Sequence, residues 1–297
     1  MVHSETVPAA SPSALAVVAD AASSDEGLVD LWIGNYRSAN TRGAYRTDLA
    51  AFVGFVGKPL RTVTLGDVQA FAASLANLAP ATISRRLSAV KSLVGFGHRL
   101  GYLAFDVAAP VQLPGIKDEL GEKILTEWQV QRMLELERHP RNAAILRLLY
   151  SSGVRVSELC GLRWRDLTER HEGGQITVLG KGAKTRHILL PAPIWTRVLA
   201  LRGAAGPTDA VFRARRPGGR GLNRAQIHRI VKAAAKRAKL PAAVSAHWLR
   251  HGHASHALDR GAPVHVVQAT LGHASLTTTT RYSHARPGDS SARYLTA

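Results

Sequence analysis

Four side chains near the C-terminal end of the chain have the types and the spacing that chemistry at a phosphate needs. His247 and Arg250 stand three positions apart, so they share one face if their segment is helical. His273 follows later, and Tyr282 stands nine residues after it. An arginine, two histidines and a tyrosine held together suit a negatively charged, tetrahedral reaction centre, and phosphate fits that description best.

Two predicted helices would position these groups. Residues 246–258 are rich in Ala and Leu, and Gly261 and Pro263 predict the end of that helix. Residues 264–271 place Val264, Val267 and Leu271 at helical spacing, which predicts a second, shorter helix. The pair His247 and Arg250 would therefore be separated from His273 and Tyr282 by one short helix.

Three stretches of the sequence resemble the tyrosine recombinase (phage integrase) family. H-x-x-R at His247, then L-G-H ending at His273, then Tyr282, is similar to the family's C-terminal signature. Residues 152–159, SGVRVSEL, look like its first arginine box, and residues 180–186, GKGAKTR, look like its β-hairpin lysine. The resemblance assigns six catalytic positions, in family order: Arg155, Lys181, His247, Arg250, His273 and Tyr282.

The resemblance and the chemistry of phosphoryl transfer together predict a role for each position. Attack on a phosphodiester passes through a five-coordinate phosphorus, and the forked guanidinium groups of Arg155 and Arg250 would clamp its non-bridging oxygens. Tyr282 would be the nucleophile and form a 3′-phosphotyrosyl bond. Its ordinary pKa of about 10 means that it needs a proton acceptor, for which His247 is the candidate. Tyr294 lies outside the expected spacing.

The remaining positions would serve the phosphate and the leaving group. His273 would donate a hydrogen bond to the phosphate, and Lys181 would protonate the departing 5′ oxygen. Lys184 competes with Lys181 for that role, although the G-K-G pattern favours Lys181. Glu158, three positions after Arg155, would either orient the site through a hydrogen bond or be an exposed acid on a helix surface. Both interpretations remain open from the sequence alone.

No cofactor is expected, because a phosphotyrosyl bond conserves the energy of the broken ester and the cations replace a metal. The histidine-rich stretch is the alternative, since histidine pairs four residues apart on a helix can bind zinc. It lacks the acid of an H-E-x-x-H motif, and at His253 the family usually has an aromatic residue. The histidines concerned are His247, His251, His253 and His256.

Composition favours a nucleic-acid partner. The chain of 297 residues carries a net charge of +18, and its 45% hydrophobic content is enough for packed cores. Residues 1–30 contain five acids and no Lys or Arg, so the remaining 267 residues carry +23. No amphipathic basic helix or long apolar run supports a membrane instead. The single cysteine, Cys160, excludes an internal disulfide and a zinc cluster of cysteines.

Four helical patterns between residues 26 and 100 resemble the family's core-binding domain. Thr64 with Asp67 predicts one helix start, and Pro80 predicts another. Basic side chains on these helices are candidate contacts to DNA phosphates, although each alone could be a solvated surface charge. The candidates are Arg42, Arg46, Arg85, Arg86 and Lys91.

The downstream half reads as mixed. Residues 108–123 have the Pro and Gly content of a linker, and Thr126 with Gln129 predicts a capping box where the second domain begins. Residues 175–190 alternate around a turn and predict a β-hairpin with Lys181 at the end of its first strand. The basic stretch 213–237 is predicted to face DNA.

We therefore expect a mostly α, multidomain protein. A tail (1–24) precedes a four-helix, SAM-like core-binding domain (25–107), the linker (108–123), and a mixed, mainly α catalytic domain with a small β-sheet or hairpin (124–297). The resemblance implies an Xer-like site-specific DNA recombinase that acts on double-stranded DNA as a homo- or hetero-tetramer on two sites. The alternatives are a type IB topoisomerase-like enzyme and a non-catalytic DNA-binding relative. The N-terminus does not look like a secretory signal, which predicts a cytoplasmic protein.

Overall fold

The computed structural model describes residues 24–115, 117–180, 185–214 and 220–284. The chain divides into two compact units, residues 1–117 and 118–297. The division falls inside the stretch 108–123 that the sequence predicts as a linker. Among the described residues, no helix is both long enough and apolar enough to cross a membrane.

Within its described residues, the first unit contains four helices, which the periodicity predicts. They are α1 (Asp25–Gly34), α2 (Ala39–Val56), α3 (Leu65–Ser74) and α4 (Pro80–Arg99), with a short 3₁₀ turn at Leu60–Thr62. The predicted capping box at Thr64 and Asp67 is present, and Pro80 occupies the first turn of α4. Phe52 and Phe71 pack edge to face at 5.1 Å in the core of this unit, so the aromatic residues of α2 and α3 join the two helices.

The second unit contains the remaining helices and one sheet. Its elements in chain order are α5 (Glu127–Glu135), α6 (Pro140–Ser152), α7 (Val156–Gly161), β1 (Leu167–Arg170), β2 (Gly173–Leu179), β3 (Thr185–Pro191), α8 (Ala192–Leu199), α9 (Arg224–Arg237), α10 (Ala246–Asp259), α11 (Val264–Leu271) and α12 (Leu276–His284). Short 3₁₀ turns lie at Gly121–Lys123 and Trp164–Asp166. The capping box of Thr126 and Gln129 opens α5 as predicted.

The predicted hairpin is part of a three-stranded antiparallel sheet in the order β1-β2-β3. Ile176 pairs with Ile188, and both are buried, while Val178 pairs with Arg186. The third strand, β1, is not anticipated by the sequence analysis, because its four residues, LTER, are short and polar. The hairpin tip, residues 181–184, lies outside the described residues.

Helix α10 explains how polar side chains enter the interior. Leu249 and Ala254 are fully buried, but so are Arg250, His251 and Ser255, at 0–8% exposure. The helix therefore lies in the core without a clean apolar stripe, and it packs against α6, α11 and α12. A buried helix that carries Arg and His needs partners for them, and these partners form the candidate active site. The fold class is the predicted one, mostly helical with a small sheet.

Candidate active site

Arg155 is held at a helix start. Helix α6 ends at Gly153, whose left-handed φ of 59° turns the chain, and Arg155 is the N-terminal cap position of α7. Glu158 accepts hydrogen bonds from the Arg155 backbone N–H at 2.8 Å and from its Nη1 at 3.0 Å. The Arg155 side chain remains 37% exposed, so its guanidinium is held by Glu158 through Nη1 while part of the side chain stays open to solvent.

Arg250 is almost completely enclosed, with 2% exposure. Its Nη1 donates to the carbonyl of Gly153 and its Nη2 to the carbonyl of Leu271 at 2.7 Å. Burial, and next the positive charge of Arg155, lower the pKa of Arg250 to about 10. The guanidinium therefore stays charged at neutral pH, and the carbonyls of two separate turns fix its orientation.

Tyr282, on α12, is 4% exposed and meets His251. Its hydroxyl lies 2.8 Å from Nδ1 of His251, and its ring is nearly parallel to that of His273, with centroids 6.2 Å apart. Burial raises the pKa of Tyr282, and the nearby charges of Arg250 and Arg281 oppose that shift. The hydroxyl contact is with His251, whereas the sequence analysis names His247 as the proton acceptor.

The histidines around Tyr282 are held in the neutral form. Burial, with the adjacent His247 and Arg250, lowers the pKa of His251 to about 3. Burial, with Arg250 and Arg155, lowers that of His273 to about 4, and His273 shares a 2.9 Å hydrogen bond with Thr279. His247 lies at the surface end of the pair, its ring centroid 4.2 Å from that of His251, and its pKa is lowered as well.

A cleft of about 580 Å³ opens beside these groups. Its lining includes Arg155, Arg186, His273 and Thr278. A partly exposed guanidinium, that of Arg155, and a histidine in one cleft suit a phosphate diester. Arg155, His247, Arg250, His273 and Tyr282 are thus gathered around one end of α10, while Lys181 and Lys184 lie outside the described residues.

The histidines that offered a metal alternative have other partners. His253 Nδ1 lies 2.9 Å from the Tyr150 carbonyl oxygen, and His256 Nδ1 lies 2.8 Å from the Tyr150 hydroxyl. His251 binds Tyr282. Within the described ranges, no group of three or more His, Cys, Asp or Glu side chains could hold a metal ion.

The sequence predicts no catalytic role for two residues of the site, although His251 is one of its candidate metal ligands. His251 stands four positions after His247, so helical spacing placed the two rings on one face. Arg186 belongs to the GKGAKTR stretch, in which only the two lysines were weighed. Arg186 donates Nη1 and Nη2 to the two carboxylate oxygens of Glu158, at 2.8 and 2.7 Å.

In the first unit, two of the predicted DNA contacts surround a buried acid. Asp48 is 0% exposed, Arg85 forms an ion pair with it, and Nε of Arg86 lies 3.6 Å from its other oxygen. Burial raises the pKa of Asp48, and the two arginines oppose that shift. The Arg85 side chain is 44% exposed, so its charge can still reach solvent.

The other three predicted contacts also have partners within the unit. Arg42 donates to the carbonyls of Tyr36 and Arg37, and Lys91 to two carbonyls that follow α4. Arg46 forms a 2.9 Å ion pair with Asp30, with both side chains about 60% exposed. The structure thus gives all five candidates an intramolecular function, and their role toward DNA stays a prediction.

Comparison with known proteins gives matches along most of the chain. Residues 123–288 match the Phage integrase family, and residues 28–99 match the Phage integrase, N-terminal SAM-like domain. The chain is 34% identical over 273 residues to the tyrosine recombinase XerC of Xanthomonas campestris pv. campestris (strain B100), covering 86% of this chain and 82% of that protein. It is 33% identical over 277 residues to the tyrosine recombinase XerD of Shewanella oneidensis, covering 88% of this chain and 91% of that protein.

The fold is also found among solved structures. A lambda integrase dimer bound to a COC′ core site matches with a TM-score of 0.72 and 16% identity, over 89% of this chain and 96% of that chain. At this identity the likeness concerns the fold alone. The family match covers more than half of the chain, and the relatives are more than 30% identical over most of it. The chain therefore belongs to the phage integrase family, the tyrosine recombinases.

Proposed function

We propose that this chain is a site-specific DNA recombinase that cleaves and rejoins double-stranded DNA with Tyr282 as its nucleophile. The observation that carries the proposal is the placement of the Tyr282 hydroxyl. It is hydrogen-bonded to His251, its ring stacks on His273, and the charge of Arg250 is near enough to act on its pKa. A phenol beside a histidine and in the positive field of Arg250 and Arg281 is equipped to attack phosphorus.

The reaction balances without a cofactor. The Tyr282 oxygen forms a bond to phosphorus as the bond from phosphorus to the 5′ oxygen breaks, which leaves a 3′-phosphotyrosyl link and a free 5′-hydroxyl. The phenol proton passes to the histidine pair of His251 and His247, and Lys181 supplies a proton to the 5′ oxygen. Attack by a 5′-hydroxyl of the partner strand reverses each step and releases the tyrosine.

The histidine pair becomes a better base when DNA is bound. Burial, and next the neighbouring His247 and Arg250, lower the pKa of His251 to about 3, far below that of the phenol. A bound phosphate would bring negative charge against Arg250 and offset the part of this shift that Arg250 causes. Proton transfer from Tyr282 is thereby linked to substrate binding, and the phenol is held neutral until the phosphate enters.

Arg155 and Arg250 serve as the phosphate clamp. Arg155 is held by Glu158 through Nη1 and stays partly exposed, and Arg250 is fixed by two carbonyls. Preorganised donors of this kind contribute about 10²–10³ in rate each, because they need no rearrangement as charge develops on the phosphate oxygens. His273, held by Thr279, adds a third donor.

Binding to duplex DNA involves both units in this proposal, with residues 25–107 as core-binding domain and 124–297 as catalytic domain. Helix α9 offers a basic face within the predicted stretch 213–237, because its exposed residues are mainly cationic while Ile227, Val231 and Ala234 on the other side are buried. The exposed basic residues and the exposed histidine of α9 are Arg224, His228, Arg229, Lys232, Lys236 and Arg237. By family resemblance, four protomers of one or two kinds act on two paired sites.

A suicide DNA substrate, nicked beside the cleavage point, tests the proposal. The 5′-hydroxyl fragment diffuses away, so a covalent protein–DNA adduct should accumulate with the wild-type chain and not with Tyr282→Phe. Tyr294→Phe serves as the matched control and should form the adduct normally. An adduct with Tyr282→Phe contradicts the assignment, and relaxation of supercoiled DNA without strand exchange would favour the topoisomerase-like alternative.

A further inference from the structure

Arg186 joins three elements of the second unit with one side chain. It lies on β3, just after the hairpin tip, and its side chain is 11% exposed. Its Nη1 and Nη2 donate to the two oxygens of Glu158 on α7, and its Nε donates to the Thr270 carbonyl on α11 at 2.8 Å. All three nitrogens of the Arg186 guanidinium therefore donate hydrogen bonds within the protein.

Glu158 is shared between two arginines. The same carboxylate accepts both donors of Arg186, the backbone N–H of Arg155 and Nη1 of Arg155. Its side chain is 4% exposed. Burial would raise the pKa of Glu158, but the hydrogen bonds from Arg186 and Arg155 outweigh it and lower that pKa. The carboxylate stays ionised and holds the two guanidinium groups in a fixed relation.

The end of α11 brings all three arginines of the site together. The last carbonyls of a helix have no partner within it and form the negative end of its dipole. Arg186 donates to the carbonyl of Thr270, Arg250 to that of Leu271, and Arg155 to that of Gly272 at 3.4 Å. Three consecutive carbonyls are thus bound by three guanidinium groups, immediately before His273.

Arg186 also packs directly on this turn. Gly272 has a left-handed φ of 65°, and a Cβ placed there would lie 3.2 Å from Cδ and Nη1 of Arg186. The turn that delivers His273 is therefore fitted to the Arg186 side chain. Movement of Arg186 would release both the carboxylate that orients Arg155 and the turn that carries His273.

We infer that Arg186 is a positioning residue for the cleavage reaction: it fixes Arg155 through Glu158 and the His273 turn through Thr270. It also connects both to β3, the strand next to the hairpin tip that carries Lys181. This inference rests on the proposed function. Lysine cannot replace arginine here, because a single ammonium group cannot reach both carboxylate oxygens and the Thr270 carbonyl in the same geometry.

The test compares Arg186→Gln and Arg186→Lys with the wild-type chain and with Arg170→Gln. Arg170 is the matched control, because it lies in the same sheet and donates to Gln175 away from the site. Single-turnover cleavage of the suicide substrate should slow by about 10²-fold in both Arg186 variants, as expected for displaced catalytic groups. Affinity for the intact DNA site and the melting temperature should stay close to wild type in Arg186→Lys.

A double-mutant cycle separates positioning from a general structural effect. Glu158→Gln should add little to the rate loss of Arg186→Lys, because the two act through one contact, whereas its effect should be additive with Arg170→Gln. Cleavage at the wild-type rate by Arg186→Lys overturns the inference, and so does a loss of DNA affinity as large as the loss of rate. Failure of the wild-type chain to form the adduct, or its formation by Tyr282→Phe, would instead overturn the proposed function.

Discussion

Replacement of His253 by phenylalanine should lower the stability of the fold at neutral to alkaline pH and raise it at acidic pH. His253 is partly buried in the second unit, where burial lowers its pKa to about 4 from an ordinary 6.5, and its Nδ1 binds the Tyr150 carbonyl. The folded chain keeps this imidazole neutral, whereas the unfolded chain protonates it below pH 6.5. Stability from this group is therefore present above that pH and is lost as the pH falls toward 4.

The magnitude follows from the two pKa values. Between pH 8 and pH 5, protonation of the unfolded chain at this one position costs about 2 kcal/mol of stability. Phenylalanine does not titrate, so it removes that cost. It also removes the hydrogen bond to Tyr150, which is worth about 1 kcal/mol. His253→Phe should thus be less stable than wild type by about 1 kcal/mol at pH 8 and more stable by about 1 kcal/mol at pH 5.

Urea unfolding at a series of pH values measures this, with the midpoint and slope compared between variants. The two curves of unfolding free energy should cross near pH 6, by the same calculation. His228→Asn, at an exposed position on α9, is the control and should run parallel to wild type. If His253→Phe loses stability on acidification as steeply as wild type, the reasoning from a buried neutral imidazole is refuted.

Three further outcomes are expected. Gly153→Ala should destabilise the fold more than Gly57→Ala by about 1–3 kcal/mol in urea unfolding. Both glycines have φ of 59°, but a Cβ at Gly153 would lie 2.6 Å from Leu271, whereas one at Gly57 would meet nothing within 4 Å. Equal losses of unfolding free energy in the two variants would contradict the packing argument. Arg250→Lys should lower the single-turnover cleavage rate by about 10²–10³ and leave DNA affinity nearly intact, since a clamp acts chiefly in the transition state; equal losses in a binding titration would make it a positioning contact. DNA affinity should fall steeply as the salt concentration rises. If α9 contacts phosphate, Arg229→Ala should reduce the slope of log K against log salt concentration by about 1. An unchanged slope would argue against DNA contact by the basic face of α9.

The sequence predicted those elements whose signals are local. The helices of the first unit follow from apolar periodicity and from starts at Thr64 and Pro80, and the β2–β3 hairpin follows from alternation on either side of a turn. Strand β1 is not predicted, because its sequence, LTER, has neither the length nor the alternation of a buried strand. Its place in the sheet depends on pairing with β2, which no local pattern encodes.

The parts of the site that the sequence does not predict are those that depend on contacts between residues far apart in the chain. The motif spacing brought out the residues that surround Tyr282, but the partner of its hydroxyl depends on how α12 packs against α10. Arg186 was overlooked for a similar reason, since Glu158 and Thr270 lie 28 and 84 positions away in the chain. For the basic residues of the first unit, the sequence supplies only their charge as a reason to expect contact with DNA. A charged side chain can instead be engaged within the protein, as Arg86 is beside the buried Asp48.

The identity of the nucleophile is tested most directly by locating the DNA on the protein. The adduct trapped on the suicide substrate can be digested with protease and nuclease, and the modified peptide can be identified by mass spectrometry. We expect a nucleotide attached through its 3′-phosphate to the Tyr282 oxygen, in the peptide that contains helix α12. Attachment at Tyr294, at a serine, or through a 5′-phosphate would contradict it.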